Sequence, residues 1–187
     1  WNEACLEAVG HRWADLSEAD YGVALLNDCK YGYKVLGNVL DMNLLRSPTD
    51  PDPVADQGNH TFTYSLLPHT GCVTSSTVFS EAAMLNQGLT MVEGFGGTPP
   101  SLPVTLEGTG LELAALKRAE KEDCLVVRIV ETLGCHAKGE LVVSGGNAIF
   151  TRTSLVELDD DETTGPTDRL EIELTPFEIR TYKVKRS

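Results

Sequence analysis

The chain has 187 residues, 41% apolar and 23% charged, which is enough to bury a core in one domain or two small ones. A formal charge of -13 argues against nucleic acid, since none of the 15 Lys and Arg residues form a run, and it repels an anionic membrane surface. With no run of 18 apolar residues and no signal-peptide pattern, nothing is expected to span or anchor in a bilayer.

In chain order, "WNEACLEAVGH" from Trp1 reads as a chain already in progress, compatible with an excised domain. "HRWADLSE" and "YGVALLND" are short β-prone segments separated by Glu18-Ala19-Asp20. "GNVLDMNLLRS" follows after a glycine-marked turn, which predicts a meander. In that third segment Leu40, Met42 and Leu44 alternate with Val39, Asp41 and Asn43, so period two gathers the larger apolar groups on one face. "PTDPDPVADQGN" must be a loop, because its prolines remove ladder donors. "HTFTYSLLPH" returns as a strand in which Phe62 and Tyr64 share a face. Residues 76–87 are the one helix expected, with Val78, Ala82, Met84 and Leu85 as its stripe and Gly88 as its stop.

"GFGGTPPSLP", residues 94–103, is rich in glycine and proline and free of charge, and reads as the internal linker between β regions at 1–95 and 104–187. Five strands are expected beyond it: "LELAALKRAE", "DCLVVRIVE", "GELVVS", "AIFTRTSLVELD" and "RLEIELTPFEIRTYKVK". In the last, Leu170, Ile172 and Leu174 alternate with Arg169, Glu171 and Glu173, giving one buried and one wet face. Pro176 then shifts the register, which a bulge or bend at Thr175-Pro176 would accommodate. The fold class expected is mainly β, an antiparallel β-sandwich of two packed β units with one short helix.

Chemistry of its own is scarce. Asp50, Asp52 and Asp56 ahead of Gly58 miss the spacing of a calcium loop, and His11, His60, His69 and His136 lack paired-ligand spacing. Five scattered cysteines, Cys5, Cys29, Cys72, Cys124 and Cys135, fit reduced thiols in a cytoplasm. The run Asp159-Asp160-Asp161-Glu162 is expected in a solvated loop between strands. Asp15 and Asp28 could face each other across adjacent strands at the spacing glycoside hydrolysis needs, but any acidic β-protein offers such pairs and sequence does not set their distance. Conspicuous above all is "LLNDCKYGYKVLGN", residues 25–38, a turn loaded with amide, carboxylate, thiol, ammonium and phenol groups.

Residues 11–69, with "WADLSE", "YGVALLNDCKYG", "LLRSPTDPDPVADQGNHTFTY" and "PH", resemble the C-terminal β-region of family 38 glycoside hydrolases, the class II α-mannosidases. The likeness is to their cytosolic, vacuolar and bacterial branch, and "LKRAEKEDCLVVRIVE" and "LTPFEIRTYKV" extend it. Residues 88–103 and 136–167 match only loosely. The resemblance implies a retaining exo-α-mannosidase whose aspartate nucleophile, acid and histidine- and aspartate-bound zinc all lie on an N-terminal α/β domain. None of those motifs occurs here, so no catalytic or metal residue is carried over, and these residues alone are expected to be inactive. They are expected to form a cytoplasmic, non-catalytic scaffold that packs on its own catalytic domain, helps close the pocket around an α-mannoside and supports a homo-oligomer. Asn27, Asp28, Lys30 and Tyr31, with Arg46, Asp56 and His60, then line the pocket or the domain seam. Alternatively, Asp28 and Lys30 pair within a plain hairpin while Tyr31 and Tyr33 cover core edges. A different class, a free-standing carbohydrate-binding or protein-interaction module, also stays open, with Trp1 and Trp13 as the only stacking platforms it offers.

Overall fold

A computed structural model describes residues 7–91, 93, 94, 96 and 102–187; Trp1, Cys5 and most of the expected linker, Phe95 and residues 97–101, lie outside them. The chain divides into two compact units, 1–94 and 95–187.

The first unit contains β1 (Ala8–Val9), β2 (Trp13–Ser17), β3 (Tyr21–Asn27), β4 (Gly32–Leu36), β5 (Val39–Asn43), β6 (Tyr64–Thr70), a 3-10 turn (Val73–Ser75) and α1 (Val78–Asn86). The strands form two antiparallel sheets, ordered β2-β3-β6 and β1-β4-β5. Trp13 lies opposite Leu26 and Ser17 opposite Gly22, while His69 of β6 faces Gly22 from the other side. Even residues of β3 therefore share one face, and α1 covers it. Ala24 and Leu26 are buried against Val78 and Ala82, with Trp13, Leu67, Val73 and Leu85 packed around them. Two alanines at this contact let helix and sheet approach closely, and Trp13 sets its ring edge-on to Phe79 at 5.1 Å.

The expected meander does not form, because β3 pairs with β6 while β5 pairs with β4 in the other sheet. Met84 is 71% exposed: Val78, Ala82 and Leu85 share a face at i, i+4 and i+7, and Met84 lies two residues from Ala82, on the far side of the helix. Phe62 does not join the strand, which begins only at Tyr64.

The second unit runs β7 (Val104–Glu107), β8 (Leu111–Arg118), β9 (Leu125–Glu131), β10 (Ala137–Val143), β11 (Ala148–Thr153), β12 (Asp160–Thr163), β13 (Arg169–Leu174) and β14 (Ile179–Arg186). Its sheets, β13-β10-β7 and β12-β11-β14-β9-β8, are antiparallel throughout. Val104, Leu141, Ile172 and Leu174 from one sheet meet Val127, Ile129, Phe150 and Val184 from the other in a single core. This is an antiparallel β-sandwich, as the period-two pattern requires.

The expected long last strand is two strands. β13 and β14 belong to different sheets, and the turn between them, with Phe177 at φ 57°, carries the chain across the sandwich rather than bulging within one sheet. A proline followed by a left-handed residue ends β13 outright. The acidic run is likewise not a loop: Asp160–Thr163 forms edge strand β12 against β11, and Asp160 pairs with Lys183 at 2.9 Å. Lys183 also binds Glu122 at 2.5 Å, which lets a nearly buried ammonium stay charged. Among the described residues no helix is long and apolar enough to cross a membrane.

Candidate functional site

The polar turn after β3 is organised by Asn27. Its buried side chain accepts the Cys29 N–H at 3.0 Å and the Lys30 N–H at 2.5 Å through Oδ1, and its Nδ2 donates to the Tyr33 hydroxyl. An Asx-type turn of this kind fixes the loop without a regular hairpin. The Asn27 carbonyl also accepts Asn86 Nδ2 at 3.0 Å, which ties the turn to the end of α1. Asp28, within the turn, accepts the Thr63 N–H at 3.0 Å. The Cys29 thiol first, then Thr63, hold its carboxyl down at about 2.

Lys30 does not pair with Asp28; its Nζ stands 5.1 Å from the centre of the Phe62 ring. Tyr31 is exposed, with its ring tilted against His11 at 4.9 Å. Tyr33, by contrast, is buried.

A groove of about 550 Å³ lies beside this turn. Lys30, Tyr31, Arg46, Asp56 and His60 all line it, so five of the seven residues singled out from sequence meet in one place. Asn27 and Asp28 do not; they build the turn. Glu7, which sequence reasoning missed, also lines it and accepts from Arg46 Nη2 at 2.6 Å and Asn43 Nδ2 at 3.2 Å. Its partners are 36 and 39 residues away, a pairing no local pattern encodes. Asp56, in a left-handed conformation at φ 58°, accepts the Ser47 N–H at 2.9 Å, and its carbonyl accepts His60 Nε2 at 2.8 Å. The groove thus gathers an ammonium, a guanidinium, an imidazole and a phenol around two carboxylates that are already bonded. Such a surface orients hydroxyl groups.

The proposed carboxylate pair does not form. Asp15, on β2, is bonded to His69 at 2.8 Å and to Ser17, whereas Asp28 lies beyond the far end of β3 on Thr63. Among the described residues no three His, Cys, Asp or Glu side chains are placed to hold a metal ion.

Comparison with known sequences places two profiles on the chain. That for the "Glycosyl hydrolases family 38 C-terminal domain" matches residues 1–54, and that for the "Glycosyl hydrolases family 38 C-terminal beta sandwich domain" matches residues 110–182. The chain is 38% identical to alpha-mannosidase G of Dictyostelium discoideum, over 98% of its own length and 18% of that protein's. It is 38% identical to alpha-mannosidase 2C1 of Mus musculus, over 96% and 18% respectively. Among solved structures, an alpha-mannosidase from Enterococcus faecalis V583 shares the fold at a TM-score of 0.65 and 22% identity, covering 95% of this chain and 21% of that one. The chain therefore spans about a fifth of the length of the curated relatives it matches.

Proposed function

Because the chain belongs to the family 38 glycosyl hydrolases, as part of their C-terminal β region, we propose that it is the non-catalytic β-scaffold of a longer α-mannosidase. Coverage carries this reading: 96% to 98% of the chain aligns with curated α-mannosidases while occupying only 18% to 19% of their length. The substrate of the longer enzyme is a terminal α-mannoside, cleaved with retention, and the reacting groups lie in the remaining length. Zinc, which the family resemblance implies, does not fit the described residues, since no three donors converge. We assign it to the rest of the enzyme. Among the described residues the thiols of Cys29, Cys72, Cys124 and Cys135 are free, which supports a cytoplasmic setting.

In this reading the groove beside the turn faces the catalytic domain, where Lys30, Arg46 and His60 offer donors to sugar hydroxyls or to the domain seam. Arg46 is the sharpest probe, because its side chain is 76% exposed and held only by Glu7 among the pairs described. In the longer enzyme, Arg46→Ala is expected to raise KM for a p-nitrophenyl α-mannoside roughly tenfold, the loss of about one charge-assisted hydrogen bond. Unchanged kinetics would leave the groove with a structural role only. A longer enzyme without α-mannoside turnover, or without bound zinc by elemental analysis, would overturn the activity or the metal assignment. The module reading has less support: Trp13 is engaged with Phe79 and the helix core rather than offering a stacking surface.

A further inference from the structure

We propose that the wedge between the two sheets of the first unit is the seat of an apolar, extended segment from the remainder of the enzyme. The register of β2-β3-β6 gives that sheet two faces. One lies under α1. The other carries Ala14, Leu16, Val23, Leu25, Leu66 and Pro68, with no charged residue among the paired positions and no helix upon it.

That second face does not look into open solvent along its whole length. Asn27, at its end, donates to the hydroxyl of Tyr33, which belongs to the apolar face of β1-β4-β5 with Val35, Leu40 and Met42. The two apolar faces are therefore clamped together at the Asn27–Tyr33 end, where Tyr33 is buried. Away from the clamp nothing described fills the space. A groove of about 510 Å³ remains between Leu16, Tyr21, Val23, Leu25 and Leu66 on one side and the β4–β5 turn with Leu40 on the other. Ser17, Glu18 and Asn38 are the polar residues bordering it. Soluble chains rarely leave an apolar concavity of this kind uncovered.

The occupant follows from shape and length. A mannoside is excluded, since the walls lack the convergent donors and acceptors that sugar hydroxyls need. A second copy is disfavoured, because a concave wedge is not complementary to itself in a two-fold contact. The curated relatives are about five times longer than this chain, so the longer enzyme has ample length to supply a strand that enters between two sheet faces. This step rests on the family reading for that length.

The test uses the longer enzyme with photoreactive p-benzoylphenylalanine at Leu66, which is 64% exposed in this chain, and at Leu36 as control. Leu36 is 70% exposed and lies on the opposite face of β4. Irradiation and peptide mapping should give an intramolecular adduct from position 66 to an apolar peptide outside these 187 residues, at least tenfold above the control. An adduct to a second copy, an adduct confined to these 187 residues, or a yield equal to the control would overturn the proposal. Native thiol labelling of Leu66→Cys and Leu36→Cys is the second measurement. Slow labelling at 66 alone agrees with a filled wedge, and equal rates oppose it. An enzyme that turns over α-mannosides yet fails both tests would sink the wedge and leave the scaffold function standing; loss of mannosidase activity in the unmodified enzyme would sink the function itself.

Discussion

Phe150, Ile129, Leu141, Ile172 and Leu174 in the second unit are drawn from both sheets and are almost wholly removed from solvent. In the first unit the buried apolar cluster consists of Ala24, Leu26, Val78 and Ala82, between one sheet and a nine-residue helix. Both units are built from two antiparallel sheets, but only the second closes its sheets on each other along their length. Closing a sandwich depends on supplying both apolar faces from one stretch of chain. The second unit does so across the Thr175–Glu178 crossover, while the first leaves its second face open for residues from elsewhere. The contrast separates a unit that completes its own core from one shaped to be completed.

The strongest way to break this contrast is to undo the crossover that closes the second unit. Glu131, fully buried at the end of β9, accepts N–H groups of Leu133 at 2.8 Å, Gly134 at 2.9 Å and Phe177 at 2.8 Å, so one carboxylate fastens two turns. Burial pushes its pKa up, but the backbone donors, Phe177 first, outweigh that and hold it below the usual glutamate range. Burial also raises Glu178, yet Thr175 and Arg180 bring it down to about 2. Glu131→Ala leaves three part-buried backbone donors without their acceptor and is expected to lower the melting temperature of this unit by roughly 10 °C, read by calorimetry. Because both folded pKa values are depressed, their stabilisation is present above about pH 4.3 and is lost as pH falls through the lower folded values. The second unit should therefore fail on the acid side. A melting temperature flat from pH 5 to 2 would contradict this.

The first unit should fail on the other side. Asp15 of β2 and His69 of β6 reach across the central strand over Gly22 and pair at 2.8 Å, with their side chains 7% and 6% exposed. The Asp15 carboxylate raises the His69 pKa against the opposing effect of burial. The sign is the reverse of the carboxylates: this stabilisation is present below about pH 6.5 and is lost as pH rises through the raised folded value. Gly22 is what makes room, since a Cβ there would stand 2.5 Å from His69 Cε1 and 2.6 Å from Ser17 Oγ. Gly22→Ala is expected to cost about 1–3 kcal/mol by overpacking and to remove the alkaline loss of stability, because the ring can no longer reach Asp15. Denaturant unfolding at pH 6 and pH 9 reads both effects. A variant that keeps the wild-type difference between the two pH values would show that the pair does not clasp the sheet.

How far the sequence revealed these two units follows the same division. Alternation in Leu170, Ile172 and Leu174 against Glu171 and Glu173 fixed the inner face of β13, because one side of that strand is charged. In β3, "YGVALLN", both faces are apolar, so period two could not say which one the helix covers. Strand β12 was hidden because four consecutive acidic residues look like a solvated loop; only pairing with β11 and the Lys183 contact explain them. For the groove, residue types pointed to Lys30 and Tyr31, and the family resemblance added Arg46, Asp56 and His60. Their convergence depends on Glu7, Asn43 and Arg46 meeting over long sequence separations, which is a property of the assembled sheet.

The smallest expected effect sharpens the comparison from the outer surface. Across β7, β10 and β13 the register places Glu107, Glu140 and Glu171 side by side in one row. Of the three, Glu140 forms the described ion pair, with Arg169 at 2.8 Å. Like charges directly opposite on neighbouring strands are unfavourable, and an opposite pair contributes roughly 0.2–1 kcal/mol. Glu171→Lys turns one repulsion into an attraction to Glu140 without touching the core, so a gain of about 0.5 kcal/mol in the second unit is expected at low ionic strength, shrinking as salt screens it. The acid-side failure should persist in this variant, since Glu131 and Glu178 are untouched. If Glu171→Lys abolished that failure instead, the acid sensitivity of the sandwich would belong to its exposed carboxylate row and not to the buried crossover.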